Sequence, residues 1–166
     1  MPGDAHPVVK IGLIAPFEGV GRPVGYAMLP VVKAALAEAN ASGQLGRYRV
    51  ALAALNDDLN PRGAAAQARA LTQDAEIVAV LGPWDAVTIQ AAAPILAQAG
   101  IPMLAAEVIS AQRGDDAATG SEQTLARAAA VADANARVLL RALGADIAAH
   151  GRPSRVGMTA ALTQPR

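Results

Sequence analysis

Residues 8–16 read VVKIGLIAP, a short apolar run that a proline closes. Such a run, bounded by a turn residue, is typical of a strand that is buried on both faces of a parallel sheet. A Gly/Pro loop follows at 17–23, and apolar residues then recur at helical spacing over about 24–41. The opening of the chain therefore predicts a strand, a loop and a helix in succession.

The same alternation of strand and helix continues to the C-terminus. Further strands are predicted at Arg49–Leu55, Glu76–Leu81, Pro102–Ala105 and Arg155–Ala161, and further helices after Asn60-Pro61, at about Ala86–Ala99 and at about Ala132–Ala149. An irregular polar segment is expected between residues 107 and 123. The pattern predicts an α/β fold, Rossmann-like, in which helices cover both faces of a parallel sheet.

Ligands of such sheets bind at the carboxyl ends of the strands, near the point where the strand order reverses. Three loops are therefore expected to line any site: Pro16–Arg22, Gly82–Ala86 and Ala106–Ile109. The adjacent pair Asp57 and Asp58 is expected to serve in a turn or a cap, because neighbouring side chains on an extended chain point apart. Asp115 and Asp116 are expected to be a solvated loop pair.

The composition excludes several classes of function. Acidic and basic residues balance at 14 each and aromatic residues make up 2%, so no nucleic-acid partner is expected. The chain has no cysteine and only two histidines, His6 and His150, which lack zinc-ligand spacing. Residues 1–10 contain no apolar run of signal-peptide length, so either a signal was removed or the protein is cytosolic.

No catalytic machinery or cofactor motif is visible in the sequence. A dinucleotide fingerprint is incomplete, because Val24 occupies the position of its third glycine after Gly19 and Gly21. No serine lies in a Gly-x-Ser-x-Gly elbow. The sequence therefore predicts a protein that is not an enzyme and that needs no cofactor or metal.

Four stretches, in order, resemble the opening of leucine/isoleucine/valine-binding proteins, the type I periplasmic binding proteins that serve ABC transporters. They are Lys10–Gly19 with Gly25 and the helix end Ala37–Gly43; Asn56–Pro61 with Ala65, Ala68 and Leu71; Val78–Pro83; and Ala93-Pro94 with Ala99–Pro102. Together they cover about residues 8–105. The resemblance implies a first lobe at residues 1–130, followed at 131–166 by a crossing helix and the first strand of a second lobe that is almost wholly absent.

The resemblance also implies where a ligand would bind. Relatives hold an amino-acid carboxylate with hydroxyl side chains and backbone N–H groups, beside a helix N-terminus. The expected site residues here are Phe17, Glu18, Trp84, Asp85, Ala86, Glu107, Val108 and Ile109. Ala86 and Ile109 stand at positions that align with a family serine and threonine, so both hydroxyls are lost unless Thr88 or Ser110 substitutes for them.

Three interpretations of this site stay open. A modified ligand, such as an amide, an amine or an apolar molecule, would use Trp84, Val108 and Ile109 as walls and Asp85 or Glu107 as partners of a positive group. Alternatively Asp85 is only a helix cap and Glu107 a solvated charge. In the third interpretation binding is lost. Phe17 and Trp84 are each expected either to contact the ligand or to pack in the core.

The resemblance implies a periplasmic or extracellular solute-binding protein that delivers an amino acid or related metabolite to the permease of an ABC importer. A sensory ligand-binding domain of a receptor or regulator is the alternative. A truncated or degenerate lobe that no longer binds is the third possibility. Because the cleft surface would be uncovered in a lone lobe, homo-association through that surface is also expected.

Overall fold

The computed structural model describes residues 6–109 and 120–164. Within them the strands are β1 (Val8–Ala15), β2 (Arg49–Asn56), β3 (Ile77–Leu81) and β4 (Met103–Leu104). The helices are α1 (Arg22–Ala41), α2 (Pro61–Gln73), α3 (Ala86–Gln98), α4 (Glu122–His150) and α5 (Arg155–Thr163), with a 3-10 turn at Gly19–Gly21. The predicted Ser110, Asp115 and Asp116 lie outside the described residues.

The four strands form one parallel sheet in the order β2-β1-β3-β4. Strand β1 pairs along its whole length with β2, from Val8 opposite Arg49 to Ala15 opposite Asn56, and on its other side with β3. The chain thus passes from β1 to β2 on one side and then crosses back to β3 on the other side of β1. This reversal lies between the carboxyl ends of β1 and β3, where α/β sheets bind their ligands.

Two separate cores cover the two faces of the sheet. One core joins alternate β1 residues, among them Ile11 and Leu13, to α1 and α4. The other joins Ile14 to α2 and α3, with Ala64 and Leu96 fully buried. The α/β fold with helices on both faces of a parallel sheet is therefore confirmed.

Gly12 shows how closely α2 approaches the sheet. A Cβ atom at this position would lie 2.8 Å from Leu71 Cδ1 and 3.2 Å from Val80 Cγ2, closer than carbon atoms normally pack. Glycine in the middle of a strand is unfavourable by itself, so its presence here reflects the close approach of the helix. The small residues of the chain allow these short distances between layers.

Helix α4 begins ten residues earlier than the sequence pattern predicted. Ser121 caps it, because its hydroxyl accepts a hydrogen bond from the Thr124 N–H, and Glu122 adds a negative charge in the first turn. The predicted division at residues 130 and 131 falls inside this helix. Residues on both sides of it, from Ala128 to Ile147, belong to the core shared with α1. The assignment of residues 131–166 to a second lobe stays a prediction.

The predicted strand at Arg155–Ala161 is wrong, because this segment forms helix α5. The alternation of Val156, Met158 and Ala160 resembles a strand, but Met158 is buried while Val156 is 81% exposed. Ser154 caps the helix by accepting the Gly157 N–H at 2.9 Å. The segment therefore satisfies its backbone internally and needs no neighbouring strand.

Arg155 fixes α5 against the amino-terminal edge of the sheet. Its guanidinium donates to the carbonyl oxygens of Ile77 at 3.0 Å, Asp74 at 2.9 Å and Ala99 at 3.5 Å. Asp74 and Ala99 are the C-terminal caps of α2 and α3, where the partial negative charge of a helix favours a cation. One side chain thus joins α5 to three elements distant in sequence.

Within residues 6–109 and 120–164, none of the helices combines the length and the apolar character that a membrane span requires.

Replacing Arg155 with methionine is expected to lower the free energy of unfolding by about 2–3 kcal/mol, because it removes the charged donor of these three hydrogen bonds. Arg152→Met, at an exposed position nearby, is the control and is expected to change it by less than about 0.5 kcal/mol. Urea titration followed by the fluorescence of Trp84 measures both. Equal stability of the two variants would contradict the role given to Arg155.

Candidate functional site

The loops that follow β3 and β4 meet at the carboxyl edge of the sheet. The carbonyl oxygen of Trp84 accepts two hydrogen bonds, from the Val108 and Ile109 N–H groups, each at 3.0 Å. The Gly82 N–H donates to the Leu104 carbonyl at 2.8 Å and extends the β3–β4 pairing by one residue. Backbone hydrogen bonds therefore hold two of the three predicted loops together.

The loop after β1 is tied to the end of β2 instead. The Asn56 side-chain oxygen accepts from the Phe17 N–H at 2.7 Å and from the Asp58 N–H at 3.1 Å. Gly25 of α1 lies directly on this loop, since a Cβ atom there would collide with the Pro16 carbonyl oxygen. Asn56, one of the residues of the stretch Asn56–Pro61, thus closes the end of β2 with its side chain.

Two of the predicted residues belong to the loop after β1. Phe17 is half-buried, and its ring contacts that of Tyr26 edge-to-face, with 5.9 Å between the centroids. Glu18 is exposed. Arg22 lies over the other aromatic ring, with its guanidinium carbon 5.4 Å from the Tyr26 centroid. The sequence analysis named neither Tyr26 nor Arg22 as a site residue, and Tyr26 is 53% exposed.

Three predicted wall residues lie in the core of this structure. Trp84 is fully buried, and Val108 and Ile109 are 7% and 4% exposed. All three belong to the core shared with α1 and α4. Their side chains pack beneath the loops, which matches the core alternative given for Trp84. A direct contact of these side chains with a ligand stays a prediction.

The remaining predicted residues lie on α3 and on the loop after β4. Asp85 is 2% exposed and caps α3, because its Oδ1 accepts from the Val87 and Thr88 N–H groups at 3.1 and 3.2 Å. The Thr88 hydroxyl donates to Asp85 Oδ2, so this hydroxyl is engaged with its own helix cap. Ala86 is half-buried, and Glu107 is exposed.

Asp57 is a buried carboxylate at the same edge, after β2. Its Oδ1 accepts the Leu59 N–H at 3.1 Å, which makes the turn predicted for this residue. Its Oδ2 is buried and has no hydrogen-bond partner among the described residues. Burial raises the pKa of Asp57 to about 6, and the nearby charge of Asp85 adds to the rise. Asp58, in contrast, is exposed.

Residues 6–109 and 120–164 contain no cluster of three or more His, Cys, Asp or Glu side chains that could hold a metal ion.

A family model described as periplasmic binding protein matches residues 8–164. The chain belongs to the periplasmic binding protein family. The match extends from the start of β1 to beyond the end of α5. Among curated proteins, none matches the chain.

Several solved proteins share the fold. A possible leucine/isoleucine/valine-binding protein from Rhodopirellula baltica SH 1 is 30% identical, with a TM-score of 0.58, over 64% of this chain and 29% of that chain. A leucine binding protein from Thermotoga maritima MSB8 is 25% identical, with a TM-score of 0.54, over 61% and 28%. The chain thus corresponds to less than a third of the length of these relatives.

A third solved protein resembles the chain in fold alone. The branched-chain amino acid transporter substrate binding protein of Streptococcus pneumoniae, in complex with isoleucine, is 23% identical, with a TM-score of 0.56, over 64% of this chain and 30% of that chain. The predicted relationship to binding proteins of this type is confirmed by the family match and by these structures.

The buried carboxylate of Asp57 predicts an unusual pH dependence of stability. Its pKa is raised in the folded chain, so the stabilising contribution is present at low pH and is lost as the pH rises through about 6. The free energy of unfolding is expected to be larger at about pH 5 than at about pH 7.5, by about 1.4 kcal/mol. Asp57→Asn is expected to remove this difference. Urea titrations at both pH values measure it.

Asp58→Asn is the matched control, because it removes a carboxylate from the exposed neighbouring position. The pKa values of Asp74 and Glu38 are lowered by their ion pairs with Lys10 and Arg137, so their contributions are lost only at more acidic pH. A wild-type chain whose stability is flat or rises between the two pH values, relative to Asp57→Asn, would contradict the assignment.

Proposed function

We propose that the chain supplies the first lobe of a solute-binding protein that holds an amino acid or a related small metabolite for the permease of an ABC importer. The ligand binds at the carboxyl edge of the sheet, on the loops that follow β1, β3 and β4. In the whole protein a second lobe closes over the ligand, and the binding energy favours the closed state.

The observation that carries this proposal is the geometry of one edge. The strand order reverses between β1 and β3, and the Trp84 carbonyl joins the loop after β3 to the loop after β4 through Val108 and Ile109. Membership of the periplasmic binding protein family supports the same edge as the ligand site. The solved leucine binding protein of Thermotoga maritima supports an amino acid or a related molecule as the ligand.

The groups proposed to face the ligand are those that the structure leaves accessible at this edge. They are the half-buried Phe17 and Ala86 and the exposed Glu18 and Glu107. Trp84, Asp85, Val108 and Ile109 contribute mainly by fixing the loops, because their side chains are buried and the backbone of all four residues takes part in the hydrogen bonds at this edge.

The proposed location is periplasmic or extracellular, which is where a protein of this family meets its solute. Exposed apolar groups at the same edge indicate a protein surface that packs against this lobe. Val20, Tyr26 and Val87 are 56%, 53% and 46% exposed, and they lie on or beside the helices that start there. A second lobe would cover this surface in the whole protein, and a second copy of the chain would cover it in a lone lobe.

A thermal-shift screen of the purified chain tests the proposal. The compounds are leucine, isoleucine and valine, their amides, and short aliphatic amides and amines. A compound present at about ten times its Kd is expected to raise the Tm by a few degrees, because binding to the folded state adds about 1.4 kcal/mol of stability. Light scattering on the same sample shows whether the species that binds is a monomer or a dimer.

Two variants locate any effect. Ala86→Leu places a larger side chain on the first turn of α3 and is expected to abolish the rise in Tm. Ala134→Leu makes the same change at an exposed position of α4 and is expected to leave the rise intact. A rise that survives in Ala86→Leu, or the absence of a rise with every compound, would contradict binding at this edge.

A further inference from the structure

The N–H groups best placed to hold an anion at the candidate edge are already occupied by the chain itself. We propose that Asp85 is a specificity-determining residue that excludes carboxylate groups, so that the lobe takes a small ligand whose head group at this edge is neutral or cationic. The inference rests on the proposed function. It narrows the ligand class from amino acids in general to amides and amines.

The first part of the argument concerns the N-terminus of α3. A helix N-terminus attracts anions through its free N–H groups and its partial positive charge. Here the Asp85 carboxylate accepts the Val87 and Thr88 N–H groups at 3.1 and 3.2 Å, and the Thr88 hydroxyl also donates to it. An internal anion therefore fills the position that a ligand carboxylate would take.

The second part concerns the loop after β4, the other source of backbone donors. The Val108 and Ile109 N–H groups both point to the Trp84 carbonyl oxygen at 3.0 Å. A ligand carboxylate would have to break these bonds, which hold the two loops together. The N–H groups at the start of α3 and those of the loop after β4 are therefore both engaged, by the Asp85 carboxylate and by the Trp84 carbonyl, and are unavailable to an external anion.

The charges at this edge act in the same direction. Asp57 is fully buried and lies near enough to Asp85 for the two charges to interact. Glu18 and Glu107 are exposed on the neighbouring loops. A carboxylate brought to this edge would add a further negative charge, and like charges at short range repel.

Three arginines carry positive charges that would attract an anion and so oppose this effect. Arg127 donates to the Glu107 carbonyl oxygen at 3.3 Å, and Arg22 lies over the Tyr26 ring. Arg62 is exposed in the first turn of α2. These groups lie on other helices than α3, so a readout resolved by residue separates an anion held by an arginine from one held at the α3 N-terminus.

The experiment compares three probes that share one branched alkyl chain, by NMR of the ¹⁵N-labelled chain. Isovalerate carries a carboxylate, isovaleramide a neutral amide, and isoamylamine an ammonium group on the same branched alkyl chain. In the wild type, isovaleramide or isoamylamine is expected to shift the amide resonances of Ala86, Val87 and Glu107. Isovalerate is expected to bind at least about tenfold more weakly, since a charge-assisted hydrogen bond contributes about 1.5 kcal/mol or more.

Two variants of Asp85 separate the effect of its hydrogen bonds to the helix N–H groups from the effect of its negative charge. Asp85→Gly frees the Val87 and Thr88 N–H groups, and glycine is tolerated as a helix cap. This variant is expected to gain about tenfold or more in affinity for isovalerate, with shifts at Val87 and Thr88. Asp85→Asn keeps an oxygen acceptor on both N–H groups while it removes the charge, and it is expected to gain much less. Asp58→Asn removes an exposed carboxylate next to Asp57. It is the control and is expected to gain no affinity for isovalerate.

The outcomes distinguish this inference from the proposed function. Wild-type chain that binds isovalerate as tightly as isovaleramide, at α3 or at Arg22, would overturn the exclusion while supporting a ligand site at this edge. Asp85→Gly that gains no affinity for isovalerate would also overturn it. If none of the probes and none of the amino acids shifts any resonance at this edge, in wild type or variants, the proposed function itself fails.

Discussion

The carbonyl oxygen of Trp84 is the point on which the candidate site depends. It accepts two N–H groups from the loop after β4, and it belongs to the residue that connects β3 to the cap of α3. Because β4 is only two residues long, strand pairing alone holds this part of the chain weakly. The two hydrogen bonds therefore decide where Glu107 and its neighbours lie relative to α3.

The burial of Trp84 couples this edge to the rest of the fold. Its indole packs in the core that α1 and α4 form over the sheet, beside Gly82, where any Cβ atom would collide with the indole nitrogen and with the Ile14 carbonyl oxygen. Gly82 also has a φ of +78°, which side-chain-bearing residues rarely adopt. The position of the site thus depends on packing that extends to α4, a helix beyond the four stretches in which the sequence resembles leucine/isoleucine/valine-binding proteins.

Most of the sheet and the position of the edge could be predicted from the sequence, because both depend on local patterns. The run at 8–16 is apolar except for Lys10, as expected of a strand covered on both faces, and Asn60-Pro61 marks a helix start by capping chemistry. The predicted strand at 155–161 was wrong because alternation of apolar residues over seven positions does not distinguish a strand from a short capped helix. The contacts that hold this helix in place, from Arg155 to Asp74, Ile77 and Ala99, span 81, 78 and 56 residues and leave no local pattern in the sequence. Likewise, the spacing of apolar residues in the sequence could not show that Trp84 is buried in the core and that Tyr26 is 53% exposed.

The central claim is that the loops after β3 and β4 form one rigid edge, joined at Trp84. Amide hydrogen exchange of the ¹⁵N-labelled chain tests it most directly, with the exposed loop residue Glu107 as the internal comparison. We expect the Val108 and Ile109 amides to exchange about a hundredfold or more slowly than the rate of an unfolded chain, because opening them breaks the contact with the Trp84 carbonyl. Exchange of both amides at the unfolded rate would show that the two loops are not joined, and the proposed site would be lost.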